Sequence, residues 1–412
     1  MAIATIGTMA SAQSFNYLST EQDPYLAGIC ISENGKYIGG MDYSLCMFLS
    51  DWAKDNTLIY DEPNGDTGCC IRSISNEGKG VGFNGDNAIV YDINGNYQEL
   101  PGKEAIAESV TPDGSFICGA INTNSIPQPV YWTGGNYVEL PMPTADECDI
   151  TINGANAKYV NADASIIAGH IVDKFSTRPL VLWRRGADGT YTVDPVFKKY
   201  CTDKTEDGKG LACIFNATAL SKNGRWAAIT VSEGMSKRIA RYDIENDKLE
   251  KLNYIDEDGE TPLCISSGIA NDGTILGYTD NDESDVRRAL ICKPGGTNLQ
   301  PLSKAFSSLA ELEYFDDLDT HYNIACDISA DGKYILGHAM DIVPYGDSEA
   351  EIFVTYVINT DKDATAIKSV TTKGTNGKTT FYSVDGKHIN PDFFHGIMIE
   401  KDAMGNTKKI IK

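Results

Sequence analysis

The sequence predicts an all-β fold: a seven-bladed β-propeller of four-stranded antiparallel blades, followed by a small C-terminal β unit. Three observations predict it. A short turn motif recurs seven times along the 412 residues, each copy precedes a second strand–turn–strand pattern, and no long stripe of helical period interrupts them. The 39 glycines and 21 tyrosines suit many short strands joined by tight turns.

The turn motif comes first. A β-former is followed by Ser or a small polar residue, then Asn-Gly or Asp-Gly, then a second apolar run that ends in Gly. Copies lie at 31–39, 75–82, 109–119, 160–169, 220–228, 269–277 and 328–337, with Ala164 standing where the fourth copy would have its turn glycine. The turn positions 35, 78, 114, 164, 224, 273 and 332 are 36 to 60 residues apart. Asn-Gly or Asp-Gly between two β-formers is a strong hairpin signal, because both residues tolerate the positive φ that primed turns demand.

A second hairpin follows in each unit. The runs 88–92 and 97–100 flank Asn94-Gly95, 130–132 and 137–140 flank Gly134-Gly135, and 180–183 and 191–193 flank Asp188-Gly189. The pairs 239–244 with 248–252 and 289–292 with 298–302 continue the plan. Four antiparallel strands per unit make a propeller blade, and closing the ring removes sheet edges that would otherwise aggregate. A β-solenoid would need atypical capping repeats, and none is visible. In the last unit 352–358 supplies the third strand, and residues 15–18 from the other end of the chain are placed to supply the fourth.

From about residue 26 to 358 the repeats resemble bacterial extracellular propeller repeats with a Ser-x-Asp-Gly turn, a Gly ending the second strand and an apolar-aromatic third strand. That resemblance speaks to architecture, since propellers host binding, scaffolding and catalysis alike. After Asn359 the chain becomes rich in Asp, Lys and Thr over 361–380, which reads as a linker. Phe381-Tyr382-Ser383-Val384-Asp385-Gly386-Lys387-His388, then Gly396-Ile397-Met398-Ile399, and the closing Lys408-Lys409-Ile410-Ile411-Lys412 resemble the C-terminal sorting domain of type IX secretion in the Bacteroidetes. Met398 replaces that family's usual aromatic. The resemblance implies passage across the outer membrane and an extracellular or outer-membrane-surface location; the alternative is an accessory hairpin with no sorting role. The expected organisation is a signal-peptide remnant at 1–13, a propeller at 14–360, a linker at 361–380 and the sorting-like segment at 381–412.

The ends and the composition agree with export. Residues 2–9 are small and apolar and lead into Ala10-Ser11-Ala12-Gln13, a small-x-small pattern of the kind signal peptidase cleaves. The basic n-region is missing, the first lysine being Lys36, and a plain N-terminus is the alternative. With 58 acidic residues against 35 Lys and Arg, the net charge is -23 and the pI is near 4.6. Such a chain repels nucleic-acid phosphates and anionic lipid headgroups, and no apolar stretch is long enough to span a bilayer as a helix. The eleven cysteines are an odd number, so at least one is free or pairs between molecules. Cys118 and Cys292 sit in strand-like runs and read as small core hydrophobes; Cys201 and Cys213 flank a Lys-, Asp- and Gly-rich loop and are the best bridge candidates; Cys69 and Cys70 lack zinc-like spacing.

The chain lacks a Gly-x-Ser-x-Gly elbow, a His-Glu-x-x-His helix, a phosphate-binding loop and an EF-hand loop. Ser221-Lys222-Asn223-Gly224-Arg225-Trp226 approaches a sialidase Asp box, but its spacing does not match. His170 and His338 follow the strand-ending Gly at a position that varies between repeats, which points to packing or exposure. The loops between second and third strands emerge together on one face of the ring, and three end in a cation: Arg178, Arg238 and Arg288. On neighbouring blades these would form a basic arc able to grip a carboxylate or sulfate, unless they pair with Asp173, Glu233 and Asp285. Asp280, Asp282 and Asp285, with Glu283, offer oxygen ligands for calcium. No other cofactor is implied. The reading is a monomeric, exported binding propeller that recognises a glycan or an extracellular protein. A carbohydrate-active enzyme with axial carboxylates is the alternative, and a purely structural module is a third possibility.

Overall fold

The computed structural model describes residues 13–18 and 26–361, except 43, 55, 61, 64–67, 174–176, 202–212, 234–235, 281–285, 318–321 and 346–347, together with four C-terminal strands. The signal-like segment and most of the linker lie outside the described residues. Seven four-stranded antiparallel sheets form the blades of the propeller. Their inner strands are Leu26–Ile31, Cys69–Ile74, Ile106–Val110, Ile152–Val160, Phe215–Leu220, Cys264–Ile269 and Asn323–Ile328, numbered here as blades one to seven. The C-terminal strands Thr380–Ser383, His388–Ile389, Ile397–Lys401 and Thr407–Ile411 form a four-stranded sheet of their own.

Blade seven closes the ring as the sequence suggests. Its outer strand is Ser14–Leu18, antiparallel to Ser348–Asn359 in a register that sets Phe15 against Ile358 and Tyr17 against Tyr356. The Phe15 ring stacks on that of buried Tyr356 at 4.7 Å between centroids, an arrangement aromatic pairs favour beyond simple burial. On the inner side, Thr355 of blade seven accepts the Gly28 amide of blade one at 2.8 Å and donates its hydroxyl to the Leu26 carbonyl. The first and last blades are thus tied by side chain as well as by sheet.

The repeated turn is held from within. In blade one the buried Ser32 hydroxyl donates to Asn34 Oδ1 at 2.8 Å and accepts the Lys36 and Tyr37 amides at 3.1 and 2.9 Å. Ser221 with Asn223 and Ser329 with Asp331 repeat the arrangement, and Thr111 with Asp113 substitutes a threonine. These are local side-chain bonds that favour the turn over a continuing strand. The Asn or Asp of these four turns is therefore occupied by its own turn. Ala164 keeps the left-handed backbone of the glycines it replaces, with φ +54°.

Each inner strand carries a β-bulge beside the turn. The register slips between Gly28 and Cys30, Ile71 and Ser73, Ala107 and Ser109, Ala157 and Tyr159, Ala217 and Ala219, Ser266 and Ile269, and Ala325 and Asp327. The bulge explains the glycine near the end of the second strand. A Cβ on Gly82 would lie 1.9 Å from the Cys70 carbonyl oxygen, an approach open only to a residue without a side chain.

Between blades the filling is aromatic and aliphatic. Trp132 and Trp183, on the third strands of blades three and four, are buried and donate their Nε1–H to the Pro101 and Pro141 carbonyls at 2.7 and 2.8 Å. Cys118 and Cys292 are buried free thiols, and Cys201 and Cys213 form a disulfide. One strand departs from expectation: the outer strand of blade six is only Gln300–Pro301, where 298–302 was expected. Pro301 offers no N–H to a ladder, and the chain turns at once into the short helix Leu302–Ala305 and then Ala310–Asp317. The second helix lays Phe315 against Tyr356 of blade seven, 6.2 Å between centroids.

Two stability tests follow from this geometry. Gly35 and Gly95 both have positive φ, 71° and 83°, but a Cβ on Gly35 would sit 2.0 Å from the Tyr334 ring of blade seven whereas one on Gly95 meets nothing within 4 Å. Gly95→Ala should cost about 1–2 kcal/mol of backbone strain, and Gly35→Ala a further 1–3 kcal/mol, roughly, of overpacking; equal losses in urea denaturation would refute an inter-blade role for that turn. Deleting the chain through Leu18 leaves Ser348–Asn359 as an open edge, so the shortened protein should melt lower and self-associate on a sizing column.

Candidate binding site in the axial channel

The bulges place one extra residue per blade on the ring axis. These are Ile29, Arg72, Glu108, Lys158, Thr218, Ser267 and Cys326, and all seven line one cavity of about 270 Å³. In every repeat this residue stands six places before the turn position. The site is therefore made of equivalent positions filled by different chemistry.

Around the ring the chemistry is segregated. Blades two, three and four present Arg72, Glu108 and Lys158; blades five and six present the hydroxyls of Thr218 and Ser267; blades seven and one present Cys326 and Ile29. The Lys158 ammonium meets the Glu108 carboxylate, and both side chains are largely withdrawn from solvent, so these charges offset one another locally. Arg72 differs. It is the one exposed member of the ring, its guanidinium lies 5.4 Å from the centre of the Phe83 ring, and no carboxylate among the described residues comes within ion-pair distance. Ser267 Oγ is recessed in the wall without a hydrogen-bond partner, while Thr218 Oγ1 pairs with Ser266 Oγ at 2.7 Å.

On blades two, three and seven the next residue along the inner strand stitches blades together. Ser73 Oγ accepts the Val110 amide at 3.2 Å, Ser109 Oγ accepts the Val160 amide at 3.3 Å, and Asp327 Oδ2 accepts the Ile31 amide at 3.0 Å. Asp327 Oδ1 also accepts its neighbour's amide, that of Ile328, at 2.8 Å. Burial pushes the Asp327 carboxyl up to about 6, against the pull of these amides and of the Lys222 charge. Desolvation outweighs hydrogen bonding at this position.

The turn end of the channel is laced shut. The Asn76, Ala162, Asn271 and Ala330 amides donate to the carbonyls of Pro112, Lys222, Ala330 and Glu33 on the following blades, at 2.7–3.0 Å. The amides of Asn34 and Asn223 donate to the side-chain oxygens of Asn76 and Asn271 at 3.0 and 2.8 Å. Across this collar Lys222 of blade five donates to the Val110 and Val160 carbonyls of blades three and four, at 3.4 and 3.3 Å, and lies 3.9 Å from Glu33 of blade one. Burial raises the Glu33 carboxyl, with Lys222 holding it back, and Glu33 Oε1 has no hydrogen-bond partner.

The arginines read from the sequence do not form one arc. Arg238 and Arg288 are half-buried, with Nε atoms that lack hydrogen-bond partners, and both approach Tyr254: the Arg288 charge acts on its phenol, and Arg238 shares a small cleft with it. Arg178 is exposed, at φ +53°, and its charge acts instead on His170 and Tyr159 of blade four. The Asp173 carboxylate is taken by the amide and hydroxyl of Thr177, at 2.7 and 2.9 Å. Asp280 pairs with Lys237 at 2.9 Å and Arg287 at 3.8 Å. Asp282 and Asp285 lie outside the described residues, and no metal-holding group of three His, Cys, Asp or Glu occurs among those described. Burial pushes His170 down to about 3 and His338 to about 4, so both are neutral packing residues near neutral pH. The axial ring itself escaped the sequence reading, although its fixed offset from the turn would have located it.

No protein-family model and no curated protein matches the chain. Among solved structures it is similar to TolB from Acinetobacter baumannii, at 12% identity and TM-score 0.39 over 83% of this chain and 86% of that one. It is also similar to a putative TolB from Agrobacterium tumefaciens, at 11% identity and TM-score 0.38 over 72% and 89%. A third similarity, to the tricorn protease, has 11% identity and TM-score 0.40, covering 92% of this chain but 37% of that one. The propeller assignment rests on the chain's own sheet topology, with seven four-stranded blades closed by the N-terminal strand.

Proposed function

We propose that the chain is an exported binding propeller that takes a polar group of an extracellular glycan into its axial cavity, without transforming it. The observation that carries this reading is the convergence of seven equivalent but chemically different bulge residues on one cavity. Buried polar groups are costly unless they are paired; Ser267 Oγ is buried without a hydrogen-bond partner, and no carboxylate among the described residues pairs with exposed Arg72. The cavity lies near the lower end of ligand pockets, about 300–1,000 Å³, which suits a single sugar or amino-acid residue. Because Lys222 and the turn collar close one end, the ligand would enter from the face that carries the second-to-third-strand loops. Arg178, Arg238 and Arg288 stand on that face as outer contacts. The Cys201–Cys213 disulfide supports an oxidising compartment, in line with the signal-like and sorting-like termini.

The enzymatic reading draws on three carboxylates that line the cavity, Glu33, Glu108 and Asp327. Glu108 and Glu33 each face a lysine, and Asp327 holds two backbone amides. That leaves none as a free base opposite a free acid.

A glycan-array screen of the full chain, with and without calcium and with product analysis of each hit, tests the proposal. The expected result is saturable binding of ligand that is recovered intact. Ser267→Leu, which fills the cavity, should abolish binding while the protein still melts cooperatively. Cleaved ligand would establish the enzymatic reading instead, and binding that survives Ser267→Leu would move the site off the axis.

A further inference from the structure

Resting on the axial cavity as the binding site, we infer that the group it takes in is a hexuronic acid residue, its carboxylate on Arg72 and its hydroxyls on the opposite wall. The ring decides the charge. Glu108 and Lys158 satisfy each other, and Lys222 is held at the collar by the Val110 and Val160 carbonyls, 3.9 Å from Glu33, so Arg72 is the cation left over. It is exposed within the channel of a chain that carries 58 acidic residues, yet no carboxylate among the described residues pairs with it. Nor is Asp327 its partner, since the two oxygens of that carboxylate accept the Ile31 and Ile328 amides. A planar guanidinium free of carboxylate partners matches an incoming carboxylate in two parallel hydrogen bonds.

The rest of the lining decides what carries the carboxylate. The other atoms without partners are the Ser267 hydroxyl, which both donates and accepts, and Glu33 Oε1, which accepts. Thr218, whose hydroxyl already pairs with Ser266 Oγ, also lines this wall. A simple fatty or aliphatic acid would leave these groups unmet, and unmet buried polar groups cost binding energy. Sugar hydroxyls donate and accept, and a ring with a carboxylate at one end and hydroxyls around it matches the division between blades two to four and blades five and six. The Ile29 and Cys326 side adds an apolar wall for the ring carbons. An acidic peptide would offer the carboxylate without that spread of hydroxyls.

The test is calorimetric titration of the full chain with a hexuronic acid disaccharide, the matched neutral disaccharide, and a blocked acidic dipeptide. Arg72→Gln and Arg72→Lys are titrated alongside, with Ser267→Leu as a control for the site. The inference expects the uronide to bind at least about tenfold more tightly than the neutral sugar or the dipeptide. Arg72→Gln should remove that preference without changing the melting temperature, and Arg72→Lys should restore only part of it. Equal binding of acidic and neutral sugars, abolished by Ser267→Leu, would overturn the carboxylate assignment and leave the axial site standing. Preference for the dipeptide would overturn the sugar acid. Uronide binding untouched by both Ser267→Leu and Arg72→Gln would overturn the axial site itself, and no binding by any of the three would overturn the hexuronic acid.

Discussion

Seven twisted sheets share one axis only if their inner strands crowd together there, and the bulge in each inner strand is the constraint on which the rest of this molecule depends. It bends the strand beside the turn, brings its backbone against the second strand and forces a residue without a side chain at Gly82. The same bulge frees one residue from the ladder and presents it to the axis. Its neighbour is left facing the adjacent blade, where Ser73, Ser109 and Asp327 accept amides. One local irregularity therefore sets the sheet geometry, the inter-blade stitching and the chemistry of the cavity.

Because the bulge backbone is common to the blades, the side chain it displays is free to differ. A propeller can change its axial chemistry one blade at a time without altering the turn that holds each blade. In this chain the polar load is gathered on blades two to four, with charges largely cancelled in place by Lys158 and Lys222. An acidic protein thereby keeps a local positive point in its channel despite its net charge of -23.

Much of the architecture was legible in the sequence because its causes are local. The Ser-x-Asp-Gly turn is stabilised by its own side chains, and its period announced seven units even where Ala164 stands in for glycine. The closing strand was legible by subtraction, since the last unit lacked a fourth strand, and the Cys201–Cys213 bridge by the loop it spans. The blade-six outer strand was read too long because alternating apolar residues at 298–302 mask the missing N–H of Pro301. The site was read poorly because it depends on distances that no single repeat contains. Arg178, Arg238 and Arg288 occupy equivalent places in sequence, yet only the latter two share Tyr254. Arg72 gave no signal of its own until the bulges set it on the axis.

The pairing of Ser14–Leu18 with Ser348–Asn359 also has a temporal side. The two strands lie at opposite ends of the propeller sequence, so a chain emerging from the ribosome cannot close its ring until nearly all of it has been made. Contacts of such high sequence separation form late and slowly. Until then blade seven waits with an open edge, and the nascent protein is a curved row of blades with no enclosed channel.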